Sequence, residues 1–200
     1  MTFELKDGMA GLPRMIYEFL AQQVIDDYRI TEGRCLDIGT GVGWMGLEVA
    51  KRSALQVYLL DVNGERLPEA ERNSRDYGVV SRTCVIKASV EDLPFIDSYF
   101  DLIISRGSIF FWEDMAKGLA EAYRVLKQGG IAYMGGGTSR NMPRKEAEEF
   151  ARWARPRHAN ARPDWQERNS PEYLRNTLRT AGIASYQLSK ENGTWIEIRK

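Results

Sequence analysis

The sequence predicts an α/β domain: a mostly parallel sheet with helices on both faces, ending in an antiparallel hairpin. Two observations carry this. Strand-like runs alternate with helical ones from residue 34 onward, which implies parallel strands joined by helical crossovers. The final two strand-like runs have only Lys190–Gly193 between them, and Asn192–Gly193 is a favoured hairpin turn.

Taken in order, Leu12, Met15, Ile16, Phe19, Leu20, Val24 and Tyr28 recur at helical spacing and open the domain with an amphipathic helix. Arg34–Ile38 is the first strand and Gly43–Arg52 the helix after it. Gln56–Leu60 is the second strand. A helix follows within Gly64–Tyr77, with its start blurred by Pro68, since proline suits a first turn but not an interior. Thr83–Lys87 and Phe100–Ser105 are the third and fourth strands, aliphatic and β-branched without clean alternation, as befits strands covered on both faces. Trp112–Lys127 is helical, and Gly129–Gly130 stops it before the strand Ile131–Met134. Ser170–Pro171–Glu172 starts the last helix, with serine as cap and proline in the first helical position, and Gly182 ends it. Ile183–Ser189 and Thr194–Ile198 form the hairpin. Five β-then-α units and a hairpin thus give seven strands.

Residues 138–169 break the rhythm: a long connection with several prolines and arginines, expected to be a lid or substrate insert within one domain covering 1–200. Basic and acidic residues number 28 each, so no global field draws the chain to nucleic acid or an anionic membrane. No apolar stretch is long enough to span a bilayer, and the start lacks a signal peptide's apolar run, so a cytoplasmic protein is expected. Cys35, Cys84 and His158 are too few and too scattered for a structural metal site, and both cysteines are expected to be buried free thiols.

The chemistry-bearing feature is the loop from Asp37 to Gly43. Gly39, Gly41 and Gly43 follow the first strand directly, and glycine lets a backbone turn tightly and approach a ligand closely. Asp61 closes the second strand, where a carboxylate can accept both hydroxyls of a ribose. An adenosine-bearing cofactor is therefore expected. Gly41, Gly43 and Gly46 also spell the G-x-G-x-x-G of nicotinamide enzymes, two residues late. Asp37 would oppose a pyrophosphate, so charge favours S-adenosylmethionine, whose amine and sulfonium are cationic and which has no phosphate.

The run LDIGTGVG resembles motif I of the class I S-adenosylmethionine-dependent methyltransferases, small-molecule and type 11-like. Asp61 in YLLDVN matches their ribose-binding acid, Ser89–Phe95 their adenine-side loop, FDLIISR (Phe100–Arg106) their motif IV, and EAYRVLKQGG (Glu121–Gly130) the junction after it. The resemblance implies a Rossmann-like fold and release of S-adenosylhomocysteine. It places Asp37, Gly39 and Gly41 along the methionine half of the cofactor, Asp61 on the ribose, Val62 beside the adenine, Ser89 and Val90 on the adenine's other side, and Ser105 under the methionine portion. Two departures stand out. A serine occupies position 89, where the family often has aspartate, and Ile109–Trp112 stands where many relatives carry a histidine.

Methyl transfer from a sulfonium depends chiefly on alignment, and it needs a general base only if the acceptor keeps its proton. No catalytic residue is assigned; Glu113, Asp114, Tyr17 and His158 are candidates. Phe110–Phe111–Trp112 either wall the acceptor or pack under the next helix, with Phe111 and Trp112 as candidate substrate contacts. Arg152, Arg155, Arg157 and Arg162 form a basic patch; Arg155 is a candidate anion contact, although a solvated helix face is the plainer reading. The expected partner is a small-molecule acceptor. An RNA or protein methyltransferase, a sensor that only binds the cofactor, and a nicotinamide oxidoreductase remain alternatives.

Overall fold

In the computed structural model residues 14–200 are described, apart from the side chains of residue 153 and residues 155–161. Leu12 and, as a side chain, His158 therefore lie outside the described residues. Helix α1 (Arg14–Tyr28) turns Ile16, Leu20 and Val24 inward. It is followed by β1 (Arg34–Ile38), α2 (Trp44–Arg52), β2 (Gln56–Asp61), α3 (Leu67–Asp76), β3 (Thr83–Lys87) and β4 (Phe100–Arg106). Then come α4 (Met115–Val125), β5 (Leu126–Gly137), α5 (Arg144–Ala161), α6 (Trp165–Arg168), α7 (Pro171–Thr180), β6 (Tyr186–Ser189) and β7 (Gly193–Arg199). Pro68 falls in the first turn of α3, where its missing N–H is harmless.

The seven strands lie in the order β3-β2-β1-β4-β5-β7-β6. β1 to β5 pair in parallel, and β7 runs antiparallel to both β5 and β6. Successive strand residues serve opposite faces. Cys35, Leu102, Ile104 and Tyr133 pack with α1 and α2, whereas Leu36, Ile103, Ala132 and Met134 pack with α4 and α7. The central strands are therefore buried on both sides, as expected for Phe100–Ser105, whereas the edge strand β3 has no fully buried residue, contrary to the expectation for Thr83–Lys87.

Four details depart from the sequence reading. β3 and β4 are joined by residues 88–99 without an α-helix, so one of the expected β-then-α units lacks its helix. α4 runs from Met115 to Val125 rather than from Trp112 to Lys127, its end set by Leu126, which already pairs with Phe100 across a register shift in β4–β5. The connection 138–169 contains two helices, α5 and α6. Cys84 is exposed, not buried, because β3 is an edge strand, while Cys35 in a central strand is fully covered.

The α7 start is as read: Ser170 Oγ accepts from Tyr173 N–H at 3.2 Å, with Pro171 next in the chain. Ser170→Ala is expected to cost about 1 kcal/mol in urea denaturation; an unchanged midpoint would show that the cap contributes nothing here.

Candidate active site

β1 and β4 are neighbours, but the chain leaves β1 towards β2 and leaves β4 towards β5 on the other side. The divergence opens a crevice at the carboxyl ends of these strands, where open α/β sheets hold ligands. Three segments converge there: the glycine loop after β1, the end of β2 at Asp61, and the turn after β4.

The glycine loop is held from beneath. Gly39 and Thr40 donate their backbone N–H groups to Leu60 O at 2.8 and 3.0 Å. Asp37 is fully buried and turns its carboxylate under the loop, accepting from Thr40 Oγ1 at 2.6 Å and from Gly46 N–H, in the first turn of α2, at 2.9 Å. Burial pushes its carboxyl up to about 7; the two hydrogen bonds offset part of that, and the Asp61 charge adds slightly to it. The side chain expected along the methionine half thus supports the loop and does not open into the crevice.

Gly39 explains itself by space as well as by angle. Its φ is +69°, and a Cβ there would stand 2.3 Å from both Cβ and Oγ of Ser108. Ser108 sits on the turn after β4, and its hydroxyl is a junction. It donates to Ile38 O at 3.0 Å, lies 2.7 Å from Ser105 Oγ, and accepts from Trp112 Nε1 at 3.2 Å. Gly39, Ser105 and Ser108 therefore form one layer at the mouth of β1 and β4. Ser108 went unassigned in the sequence, because only the approach of two chain segments distant in sequence gives it a role.

Asp61 is half-buried at the end of β2. Oδ2 accepts from Gly41 N–H at 2.7 Å and Oδ1 from Asn63 N–H at 2.8 Å, which fixes the carboxylate while each oxygen keeps a lone pair. Val62 beside it is 67% exposed, an apolar side chain left uncovered at the crevice rim. Across from it Ser89 is half-buried, with Oγ accepting from Glu91 N–H at 3.2 Å. Val90, expected beside it, is buried against the α4 face of the core. Glu91 reaches across to accept from Asp114 N–H at 2.8 Å, tying the 88–99 loop to the start of α4.

The aromatic run divides: Trp112 packs under α4, while Phe110, also buried, lines a cavity under α5. Phe110 and Trp112 are buried, and Trp112 lies so close to α4 that a Cβ on Gly118 would stand 2.7 Å from its ring. The ring, expected as a candidate substrate contact, here fills the space that Gly118 leaves. Phe111 is half-buried, and its carbonyl accepts from Arg162 at 3.3 Å. Asp114 is the α4 cap, accepting from Lys117 N–H at 3.0 Å, and Glu113 is exposed. In the basic patch Arg162 pairs with Asp164 at 2.8 Å and Arg152 is exposed; the Arg155 and Arg157 side chains lie outside the described residues.

Beside the crevice, under α5 and against the ends of β5 and β7, lies a cavity of about 700 Å3. Phe110, Met142, Phe150 and Trp165 give it apolar walls. Arg106, the last residue of β4, stands next to it. Its Nε donates to Gly137 O at 3.2 Å and Nη1 to Tyr17 Oη at 3.3 Å, and its guanidinium lies 4.8 Å from the Tyr17 ring centroid and 5.1 Å from that of Phe150. Desolvation holds its pKa below the ordinary arginine value. Among the described residues no three His, Cys, Asp or Glu side chains gather as a metal site, and no helix is long and apolar enough to cross a membrane.

Comparison with known proteins agrees with this arrangement. A family model for the methyltransferase domain matches residues 36–134, the span from β1 through most of β5. A crystal structure of a Methanococcus maripaludis protein assigned to the S-adenosyl-L-methionine-dependent methyltransferases superposes with a TM-score of 0.79 at 35% identity, covering 92% of this chain and 85% of that one. The chloroplastic 2-methyl-6-phytyl-1,4-hydroquinone methyltransferase 2 of Oryza sativa subsp. japonica is 39% identical over 102 residues, 50% of this chain and 28% of its own length. The ubiquinone/menaquinone biosynthesis C-methyltransferase of Proteus mirabilis is 37% identical over 48% of this chain and 39% of its own. The chain thus spans well under half the length of these two relatives. With a likeness to the archaeal protein that runs along nearly the whole fold, and a glycine loop and strand-end acid in the expected places, the chain belongs to the class I S-adenosylmethionine-dependent methyltransferases and is an enzyme of that family.

Proposed function

We propose that this enzyme binds S-adenosylmethionine in the crevice over β1, β2 and β4 and methylates a small molecule held in the cavity beneath α5. The observation that carries the cofactor half is the Gly39–Ser108 contact: a loop this close to the next segment admits only glycine, leaving backbone, not side chain, facing the crevice. The donor set fits the same ligand. Asp61 offers outward lone pairs for two ribose hydroxyls, Val62 an apolar surface for the adenine, and Ser89 a hydroxyl at its edge. Ser105 and Ser108 lie under the methionine portion together with Gly39 and Gly41.

When bound, the cofactor supplies an electrophilic methyl group on a sulfonium. The chain's own residues position the acceptor and keep water out. Phe110, Phe150 and Trp165 form apolar walls, and residues 138–169, through α5 and α6, cover the cavity as a substrate insert. A cavity of this size suits a small-molecule acceptor. The hydroquinone and ubiquinone/menaquinone names of the two relatives point to the same broad class, although their matches span only 28% and 39% of those proteins.

Calorimetry against S-adenosylhomocysteine, S-adenosylmethionine and NADH tests the cofactor. Binding of both sulfur ligands and none of NADH is expected; tight NADH binding without response to either sulfur ligand would overturn the reading. Asp61→Ala is expected to weaken S-adenosylhomocysteine binding by roughly 10- to 100-fold, the size of losing two charge-assisted hydrogen bonds. Unchanged affinity would place the ribose elsewhere.

A further inference from the structure

We propose that the acceptor carries a carboxylate and that Arg106 binds it at the inner end of the cavity under α5; this rests on the small-molecule methyltransferase reading above. Arg106 is a cation with no counter-ion among the described residues. No carboxylate pairs with it among the described residues, and its only hydrogen-bond partners there are a carbonyl, Gly137 O, and a phenol, Tyr17 Oη. A guanidinium has more donors than these two contacts use. The second Nη1–H and both Nη2–H groups have no acceptor among the described residues, and that end of the fork matches a carboxylate bidentately. The Tyr17 and Phe150 rings both pack against the guanidinium and hold the side chain in place. Desolvating a cation without pairing it is costly, and an arginine fixed in this way is preorganised for an anion that arrives from outside.

The cavity supports the same sign. Among the described residues its wall carries Arg140, Arg144 and Lys190 against one carboxylate, Glu148. Glu148 is already engaged with Arg144 at 2.7 Å, and Arg140 is held by Asp27. Gly137 and Phe150, both in contact with Arg106, are part of the wall, so the guanidinium lies directly behind that wall, one residue back from the cavity as it stands. It faces the acceptor side rather than the cofactor. Ser105 and Arg106 are consecutive strand residues and point to opposite faces: Ser105 joins Ser108 over Gly39, whereas Arg106 turns towards α1 and α5. The apolar walls call for a flat or aliphatic body behind the carboxylate.

The test uses wild type, Arg106→Met and Arg106→Lys, each saturated with S-adenosylhomocysteine and titrated calorimetrically with hydroxybenzoates and hydroxycinnamates alongside their carboxamides. Wild type is expected to bind at least one carboxylate tenfold or more tighter than its amide. Arg106→Met should lose that preference while keeping its S-adenosylhomocysteine affinity within twofold, and Arg106→Lys should restore part of the preference. Both variants should fold, with Arg106→Met melting at or above the wild-type temperature because a desolvated charge is gone. Equal binding of acids and amides, or binding of neither, would overturn the proposal. So would a tenfold loss of S-adenosylhomocysteine affinity in Arg106→Met, which would make the cofactor's own carboxylate the partner. Wild type that binds no S-adenosylhomocysteine would instead bring down the underlying functional reading.

Discussion

Gly39→Ala is expected to lower S-adenosylhomocysteine affinity by about a hundredfold, equivalent to roughly 2.7 kcal/mol, and to cost a similar amount of stability. Two terms act together. A non-glycine residue at φ +69° costs about 1–2 kcal/mol. The new methyl group must also displace Ser108, whose Cβ and Oγ both lie 2.3 Å away; overpacking of this kind costs about 1–3 kcal/mol. Ser108 cannot yield freely, because its hydroxyl ties together Ile38, Ser105 and Trp112. Relief comes by lifting the loop, which moves the Gly39 and Gly41 backbone out of line with Asp61. Calorimetry and urea denaturation of Gly39→Ala, Ser108→Gly and the double variant separate the terms. The double variant should regain the overpacking share and keep the backbone share. A Gly39→Ala protein that binds like wild type would reduce the loop to a simple turn.

This loop also marks how far the sequence could be read. Glycines after a strand and an acid at the end of the next one are local signals, and Asp61, Gly39 and Gly41 stand where those signals put them. The strand core was equally readable, since Arg34–Ile38 and Phe100–Arg106 owe their character to burial on both faces. Features that depend on distant partners were not. Ser108 gains its role only by lying against Gly39, and Arg106 shows its unpaired donors only once α1 and α5 are in place. Cys84 looks like any strand residue until β3 proves to be an edge. The α4–β5 boundary was misplaced because Leu126–Gly130 has no local strand signature; pairing with β4 draws Leu126 out of the helix. Helix α5 was hidden by its composition, rich in charge and containing Pro156, which resembles a loop more than an amphipathic helix.

Asp37→Asn is expected to make the enzyme more stable at neutral and alkaline pH while weakening its hold on the cofactor. The carboxyl has a pKa of about 7 in the folded chain against 3.8 as its ordinary value. Between those pH values the native state keeps a proton that the unfolded chain has lost, so stability falls as pH rises through that window and levels off above it. At about 1.4 kcal/mol per unit the decline attributable to this one group is at most about 4 kcal/mol. Both donors meet Oδ2, so the Oδ1 of an asparagine can accept from Gly46 N–H and Thr40 Oγ1 alike, preserving both contacts without an ionisation to resist. The difference in unfolding free energy between variant and wild type, measured in urea from pH 4.5 to 8, should therefore grow with pH in the variant's favour, while slopes from other groups cancel. A difference independent of pH would show that Asp37 ionises normally. The same charge lies under a loop expected to face a sulfonium, so its removal should weaken S-adenosylmethionine by a few-fold more than S-adenosylhomocysteine, which lacks that cation. Retaining a buried acid at a cost in stability is then the trade expected of a residue kept for function; equal losses for the two ligands would leave it as a loop support alone.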